Sequence, residues 1–182
     1  MKDQYNREKS IAITGSSGLA AHFSKMYLDC LRIDDVLRMK DYPWEVFINH
    51  AHRDFDQTLI LDKISEAWKD QPNKLIINIS SRAAFPNLSQ GRVYSAQKAS
   101  LDHLANNITY NSKIKCRITT LNLGYIQDDS DQIPGCTWQE VHDMIWTIID
   151  LPKHLEIPNI TMQHSHPYKL VQEMKENIKC NQ

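Results

Sequence analysis

Short runs of β-branched and aliphatic residues recur along the whole chain, each separated from the next by a stretch with helical spacing. No other feature constrains the fold as much, because a strand that must be followed by a helix before the next strand points to a parallel sheet covered on both faces. Ser10-Ile-Ala-Ile-Thr14 reads as a first strand, Gly15-Ser-Ser-Gly18 as a tight loop and Leu19 to Leu28 as a helix. Cys30 to Ile33 predicts a second strand, and Asp34 to Lys40 a short helix with Asp34 or Asp35 as N-cap. Glu45 to Asn49 is a buried strand by composition. Phe55 to Trp68 carries apolar residues at 55, 59, 60, 64, 67 and 68, which is one-sided helical spacing. Leu75 to Ile79 predicts a strand, Arg92 to Asn111 a longer helix and Lys115 to Leu121 another strand. Thr137 to Ile149 predicts a helix opened by a Thr137/Glu140 capping box and closed before Pro152. A final strand is expected over Ile157 to Met162, and a terminal helix over Pro167 to Ile178.

A chain of 182 residues with 41% hydrophobic content buries one sizeable core, so a single domain over 1–182 is expected, with 1–9 a flexible N-terminus and 167–182 a terminal helix or tail. Lys and Arg number 21 against 22 Asp and Glu, and no stripe gathers the basic residues, which argues against nucleic acid as a partner. Apolar runs such as Leu75 to Ile77 and Met144 to Ile149 fall far short of the roughly 20 residues that span a bilayer. The polar stretch Met1 to Lys9 has no apolar leader region, so a cytoplasmic location is expected. Cys30, Cys116, Cys136 and Cys180 are dispersed and read as free thiols. Four Asn-x-Ser/Thr triplets, at Asn78, Asn87, Asn107 and Asn159, read as chance occurrences in that compartment. His50 with His52 and His164 with His166 have no carboxylate or cysteine at a supporting distance, and no metal site is expected. Trp44, Trp68, Trp138 and Trp146 are expected to pack in the core or at an interface.

Two motifs bear chemistry. Thr14-Gly-Ser-Ser-Gly-Leu-Ala-Ala21 lies between the first strand and the first helix, where glycines let the backbone approach a pyrophosphate and Ala21 stands in the place of a third glycine. It is neither the G-x-x-x-x-G-K-[ST] of nucleoside triphosphatases nor the G-x-S-x-G of serine hydrolases. Tyr94-Ser-Ala-Gln-Lys98 puts a phenol and an ammonium one helical turn apart, and a fixed cation there favours the phenolate and makes Tyr94 a usable acid or base. Ser81 ends a strand thirteen residues earlier.

With Ile79-Ser-Ser81, Asn49-His-Ala-His52 in place of N-N-A-G and Leu121-Asn-Leu-Gly124 in place of N-x-P-G, five landmarks follow the order of the short-chain dehydrogenase/reductase family. The chain resembles that family over about residues 10 to 165. The resemblance implies a three-layer, doubly wound Rossmann-type α/β fold with about six parallel strands, an NAD or NADP cofactor, and reversible hydride transfer between a small alcohol and a carbonyl. It further implies that Gly15, Ser16, Ser17, Gly18 and Leu19 hold the pyrophosphate, Asn49 and Ala51 line the adenosine side, and Gly124 and Ile126 pack by the nicotinamide. Ser81 would orient the substrate oxygen, Tyr94 exchange its proton, and Lys98 bind the nicotinamide ribose and support the phenolate. A homodimer or homotetramer, paired through the helices at Phe55 to Trp68 and Arg92 to Asn111, also follows from the resemblance.

The chain departs from the family in places. The glycine loop has the spacing of extended members. Thr58 stands where many members place a relay asparagine, and Asp128 where a threonine binds the carboxamide. Only about sixteen residues, Asp29 to Trp44, fill a region that ordinarily holds two strands and a helix, so one strand and most of a helix are expected to be missing from the β2–β3 region. Within it Asp34 or Asp35 would favour NAD and Arg32 NADP. The trimmed adenosine site and Thr58 leave a second possibility open, a non-catalytic NAD(P)-binding regulator or scaffold. A nucleotide-sugar epimerase or reductase is disfavoured by the short C-terminal region.

Overall fold

The computed structural model describes residues 10–24, 29–86, 91–111, 113–127, 134–165 and 173. The N-terminal residues 1–9, the acidic positions Asp128, Asp129 and Asp131, and the expected terminal helix apart from Glu173 lie outside the described residues.

Strands and helices alternate as the sequence predicts. They run β1 (Ile11–Thr14), α1 (Leu19–Ser24), β2 (Asp29–Leu31), α2 (Ile33–Arg38), β3 (Val46–Asn49), α3 (Asp56–Ala67), β4 (Leu75–Ser81), α4 (Arg92–Thr109), β5 (Arg117–Leu123), α5 (Trp138–Ile149) and β6 (Asn159–Met162). A 3-10 turn, Arg82–Ala84, joins β4 towards α4. All six strands are parallel, in the order β2-β1-β3-β4-β5-β6. The order reverses between β1 and β3, and at that point the loops leaving the strands part to leave a crevice. The expected shortening is visible. α2 has six residues, and β2, with three, is the edge of the sheet beside β1.

Alternation along each strand sends residues to two cores. Ile11, Ile13, Val46, Ile48, Leu75, Ile77 and Leu121 meet α1 and α5 through Leu19, Phe23, Val141 and Ile145. Ala12, Phe47, Ile76 and Ile118 meet α2, α3 and α4 through Val36, Ile60, Leu61, Ile64, Leu101 and Ala105. This is the three-layer α/β architecture. Burial of each large aliphatic or aromatic side chain stabilises it by about 1.5–3 kcal/mol.

The second core turns polar toward the C-terminal ends of the strands. Asn49, Asn78 and Thr120 stand in register on β3, β4 and β5, and the Asn49 amide donates to Asn78 Oδ1 at 3.0 Å. The Asn49 amide nitrogen is satisfied by Gln57 and Asn78, while its Oδ1 is buried without a hydrogen-bond partner among the described residues. The three residues lie directly beneath the crevice.

The capping box opens α5 as expected, with Thr137 Oγ1 accepting from the Glu140 N–H and Glu140 returning the bond to the Thr137 N–H. The N-cap of α2 differs from expectation. Arg32 holds that position without a side-chain cap, and Asp34 and Asp35 fall in the first helical turn. Their carboxylates serve ion pairs instead, Asp34 to Arg53 at 2.6 Å and Asp35 to Arg38 at 3.0 Å. Acidic residues in a first turn also complement the helix dipole.

Candidate active site

A cavity of about 440 Å³ opens at the order reversal. The loop after β1 supplies Gly15, Ser16 and Ser17, the loop after β3 supplies His50, Ala51 and His52, and β4 supplies Ile79, Ser80 and Ser81. Leu123, Gly124 and Ile126 close it from β5, Tyr94 and Lys98 from α4, and Trp138 from α5. Ser81, Tyr94 and Lys98 therefore share one cavity, although 81 and 94 belong to different elements. A second cavity of about 300 Å³, lined by Cys30, Arg32, Asp34 and Arg53 among others, shares Gly15, Ser16 and Ala51 with the first, so the two form one groove across the strand ends.

The loop after β1 is shaped by contact. Gly15 has φ +106° and Gly18 φ +54°, values that suit glycine. A Cβ at Gly15 would lie 3.2 Å from the Ala51 methyl and 3.3 Å from His50 Nδ1. Thr14 is fully buried, and its hydroxyl accepts the N–H groups of both His50 and Ala51 at 2.9 Å, which pins the β3 loop to the end of β1. Gly18 lies against the indole of Trp138, 3.0 Å from its would-be Cβ, and does not line the cavity. Leu19 is buried in the core under α1, because the first residue of that helix faces the sheet. Asn49 is likewise buried, its side chain turned to Gln57 and Asn78. Of the residues to which the resemblance gives a cofactor role, Gly18, Leu19 and Asn49 thus stand behind the cavity wall, while Gly15, Ser16, Ser17, Ala51, Tyr94, Lys98, Gly124 and Ile126 form it.

Lys98 is buried and fully engaged on its inner side. Its ammonium donates to Gln57 Oε1 at 2.6 Å and to the Ile79 carbonyl at 2.9 Å. It lies 5.7 Å from the centre of the Tyr94 ring. Burial lowers its pKa to about 8, against the pull of the Asp102 carboxylate one turn along the helix. Gln57 in turn donates to the carbonyls of Asn49 at 2.8 Å, His50 at 3.3 Å and Ile79 at 3.1 Å. One amide thus ties the ends of β3 and β4 to the lysine. Thr58, in the expected relay position, points elsewhere: its hydroxyl shares a 2.8 Å hydrogen bond with Ser100 on α4. Gln57 was missed by motif matching, yet a signal existed. It falls on the stripe of Ile60, Leu61 and Ile64, where a buried helix face calls for an apolar residue.

Ser81 Oγ accepts from the Ala83 N–H at 3.1 Å, and Ser95 Oγ donates to the Ala83 carbonyl at 2.5 Å. The first turn of α4, which carries Tyr94, is in this way fastened to the turn that carries Ser81. The two histidines frame the cavity. His50 packs edge-on to Trp138, with ring centres 6.1 Å apart, and its pKa falls to about 4, chiefly through burial, with the Thr14 carbonyl opposing and the Lys98 charge adding to the fall. His52 packs edge-on to Tyr94 at 4.9 Å. Trp138, expected like the other tryptophans to pack in the core or at an interface, packs partly buried against the core and also lines the cavity, while Trp44, Trp68 and Trp146 are buried.

No family model and no curated protein matches the chain. Solved structures do. The serine dehydrogenase of Escherichia coli is 15% identical, with a TM-score of 0.69 over 87% of this chain and 99% of that one. An alcohol dehydrogenase from the archaeon Thermococcus sibiricus, complexed with 5-hydroxy-NADP, is 13% identical, with a TM-score of 0.65 over 87% and 97%. A short-chain dehydrogenase from Sphingobium yanoikuyae in complex with NADPH is 13% identical, with a TM-score of 0.66 over 96% of both chains. Taken with the strand order and the placement of the groove, these likenesses give the chain the Rossmann-type fold of the short-chain dehydrogenases/reductases.

Proposed function

We propose that this protein is an NAD(P)-dependent oxidoreductase of the short-chain dehydrogenase/reductase type that interconverts a small alcohol and its carbonyl compound. The observation that carries this is the convergence of Ser81, Tyr94 and Lys98 on one cavity beside the Gly15 loop. The residues present suit a dinucleotide. The two cavities adjoin through Gly15, Ser16 and Ala51, and a side chain at Gly15 would crowd Ala51 and His50 there. Solved neighbours of the same fold are complexed with NADP+, NADPH or NADH.

When bound, the cofactor supplies or accepts the hydride. In the reducing direction the Ser81 hydroxyl holds the substrate oxygen, and the Tyr94 hydroxyl delivers its proton to that oxygen as the carbon is reduced. The Lys98 ammonium favours the phenolate left behind. In this role it would hold the sugar of the nicotinamide half, with Gln57 and the Ile79 carbonyl keeping the ammonium in place. At the other end of the groove stand Arg32, suited to a 2′-phosphate, and Asp34, suited to a free ribose hydroxyl. We further propose a cytoplasmic enzyme that pairs with its own copy through α3 and α4. Cys30, Cys116 and Cys136 are free thiols, in keeping with a reducing compartment. No helix among the described residues is long and apolar enough to cross a membrane.

Fluorescence titration with NADH and NADPH in parallel tests cofactor binding, and the ratio of the two affinities fixes the preference. Turnover then separates catalysis from mere binding. Tyr94→Phe should lower kcat by ~10²–10⁴ with cofactor affinity little changed. Lys98→Met should weaken cofactor binding and turnover together. Undiminished turnover in Tyr94→Phe would exclude the mechanism, and binding without turnover of any alcohol or carbonyl would favour a regulator or scaffold.

A further inference from the structure

Tyr94 stands in the first turn of α4, 38% exposed, beside Val93, which is more exposed still. A phenol in such a place has few walls to hold its ring, yet proton transfer demands a fixed oxygen. The ring has one flat neighbour among the described contacts. His52 meets it edge to face, with centres 4.9 Å apart and planes at 85°.

The loop carrying His52 is itself held on every side. Thr14 takes the N–H groups of His50 and Ala51, Gln57 takes the carbonyls of Asn49 and His50, and Gln97 on α4 reaches Asp54 at 3.5 Å. Two residues after His52, Asp54 adopts φ +46°, a backbone state uncommon outside glycine. The imidazole is therefore presented to Tyr94 by a braced support. In the family tetrapeptide that Asn49-His-Ala-His52 resembles, the fourth residue is glycine, which has no ring to offer.

We propose that His52 is a positioning residue for this protein's proton transfer, fixing the Tyr94 ring by edge-to-face contact so that the phenol oxygen stays aimed into the cavity. The inference rests on Tyr94 being the proton-transferring residue. Edge-to-face ring pairs contribute on a scale that corresponds to roughly three- to tenfold in rate. The contact is present before substrate binds, but it bears on the proton-transfer step, so its loss should be read in kcat more than in KM.

Three variants and one spectroscopic measurement test it. His52→Gly should lower kcat roughly three- to tenfold with KM for the carbonyl substrate unchanged and the thermal midpoint nearly so. His52→Phe, which keeps an aromatic ring and loses both nitrogens, should recover most of the lost kcat. In ring-labelled tyrosine NMR, with Tyr94→Phe to identify the signal, the Tyr94 resonance should move as His52 titrates and should shift in His52→Gly. Unchanged kcat in His52→Gly would overturn the proposal, as would a His52→Phe variant no better than His52→Gly. A Tyr94 signal indifferent to both the titration and the substitution would overturn the contact itself. The NMR measurement needs neither cofactor nor substrate. If the contact is intact but the wild-type protein binds no NAD(P)H and turns nothing over, the oxidoreductase assignment fails and the catalytic use of the contact falls with it, visibly for a different reason.

Discussion

Burial holds the His50 imidazole neutral far below its ordinary range, down to about 4, and this has a cost in acid. The unfolded chain binds that proton near pH 6.5 whereas the folded one resists it, so unfolding takes up a proton between pH 6.5 and about 4 and stability falls as the pH drops through that window. A depression of this size corresponds to about 3 kcal/mol at the acid end. Urea midpoints measured from pH 7 to 4 should fall accordingly, and His50→Asn, which keeps a short polar side chain without the ionisation, should flatten the slope. A slope unaltered by that substitution would mean that other groups carry the acid sensitivity. At this scale residue type and spacing were enough to single out Ser81, Tyr94 and Lys98 as a group, and the fold does bring the three to one cavity. The sequence pointed to Thr58 where Gln57, its neighbour on the same helix, is the residue that meets Lys98, because which of the two does so depends on the rotation of α3 against the sheet. His52 could be seen as a departure from glycine, but its partner lies 42 residues away and only folding joins them.

Between elements, the contact of α5 with the glycine loop changes what a familiar substitution would report. Gly18→Val puts a branched side chain where φ is +54° and where the Trp138 ring begins 3.0 Å from the new Cβ. The variant should lose stability by about 1–3 kcal/mol, read as a lowered urea midpoint with or without cofactor, since backbone strain and overpacking act together. Trp138→Ala should restore part of that loss by removing the obstacle, and a double variant no more stable than Gly18→Val alone would show that strain dominates. Local signals served the elements unequally. The Thr137/Glu140 box is a pattern of four residues that satisfies its own backbone groups, so it was legible before any tertiary structure. The start of α2 was not. Its two aspartates were equally good caps, and the pull of Arg53 and Arg38 drew them to side-chain partners instead. Trp138 packs against the core as expected, but its place on the cavity wall was not legible, because an indole suits both and nothing local distinguishes the two.

For the whole molecule, the alternation of strands and helices led to the correct architecture because parallel strands need crossovers, and crossovers leave few orders for the sheet. The shortened stretch before β3 was also legible, since sixteen residues cannot hold two strands and a helix. Assembly is the property that pattern alone leaves open. If α3 and α4 form a two-fold interface, Leu59, 56% exposed on α3, is buried there, and Leu59→Glu should convert a dimer or tetramer to smaller species in light scattering at micromolar concentration while the fold survives. A wild-type protein already monomeric at that concentration would remove the interface. The other rim of the sheet poses the opposite problem. With no further strand beside β2 among the described residues, a line of backbone donors and acceptors faces outward, the kind of template on which stray chains pair and precipitate. β2 limits the hazard by its brevity: three residues, beginning with the charged Asp29 and followed by the charged Arg32, offer a foreign strand little to zip against. Lengthening β2 with β-branched residues should therefore trade solubility for sheet, and the brevity of this strand can be understood as protection against self-association as much as a loss of material.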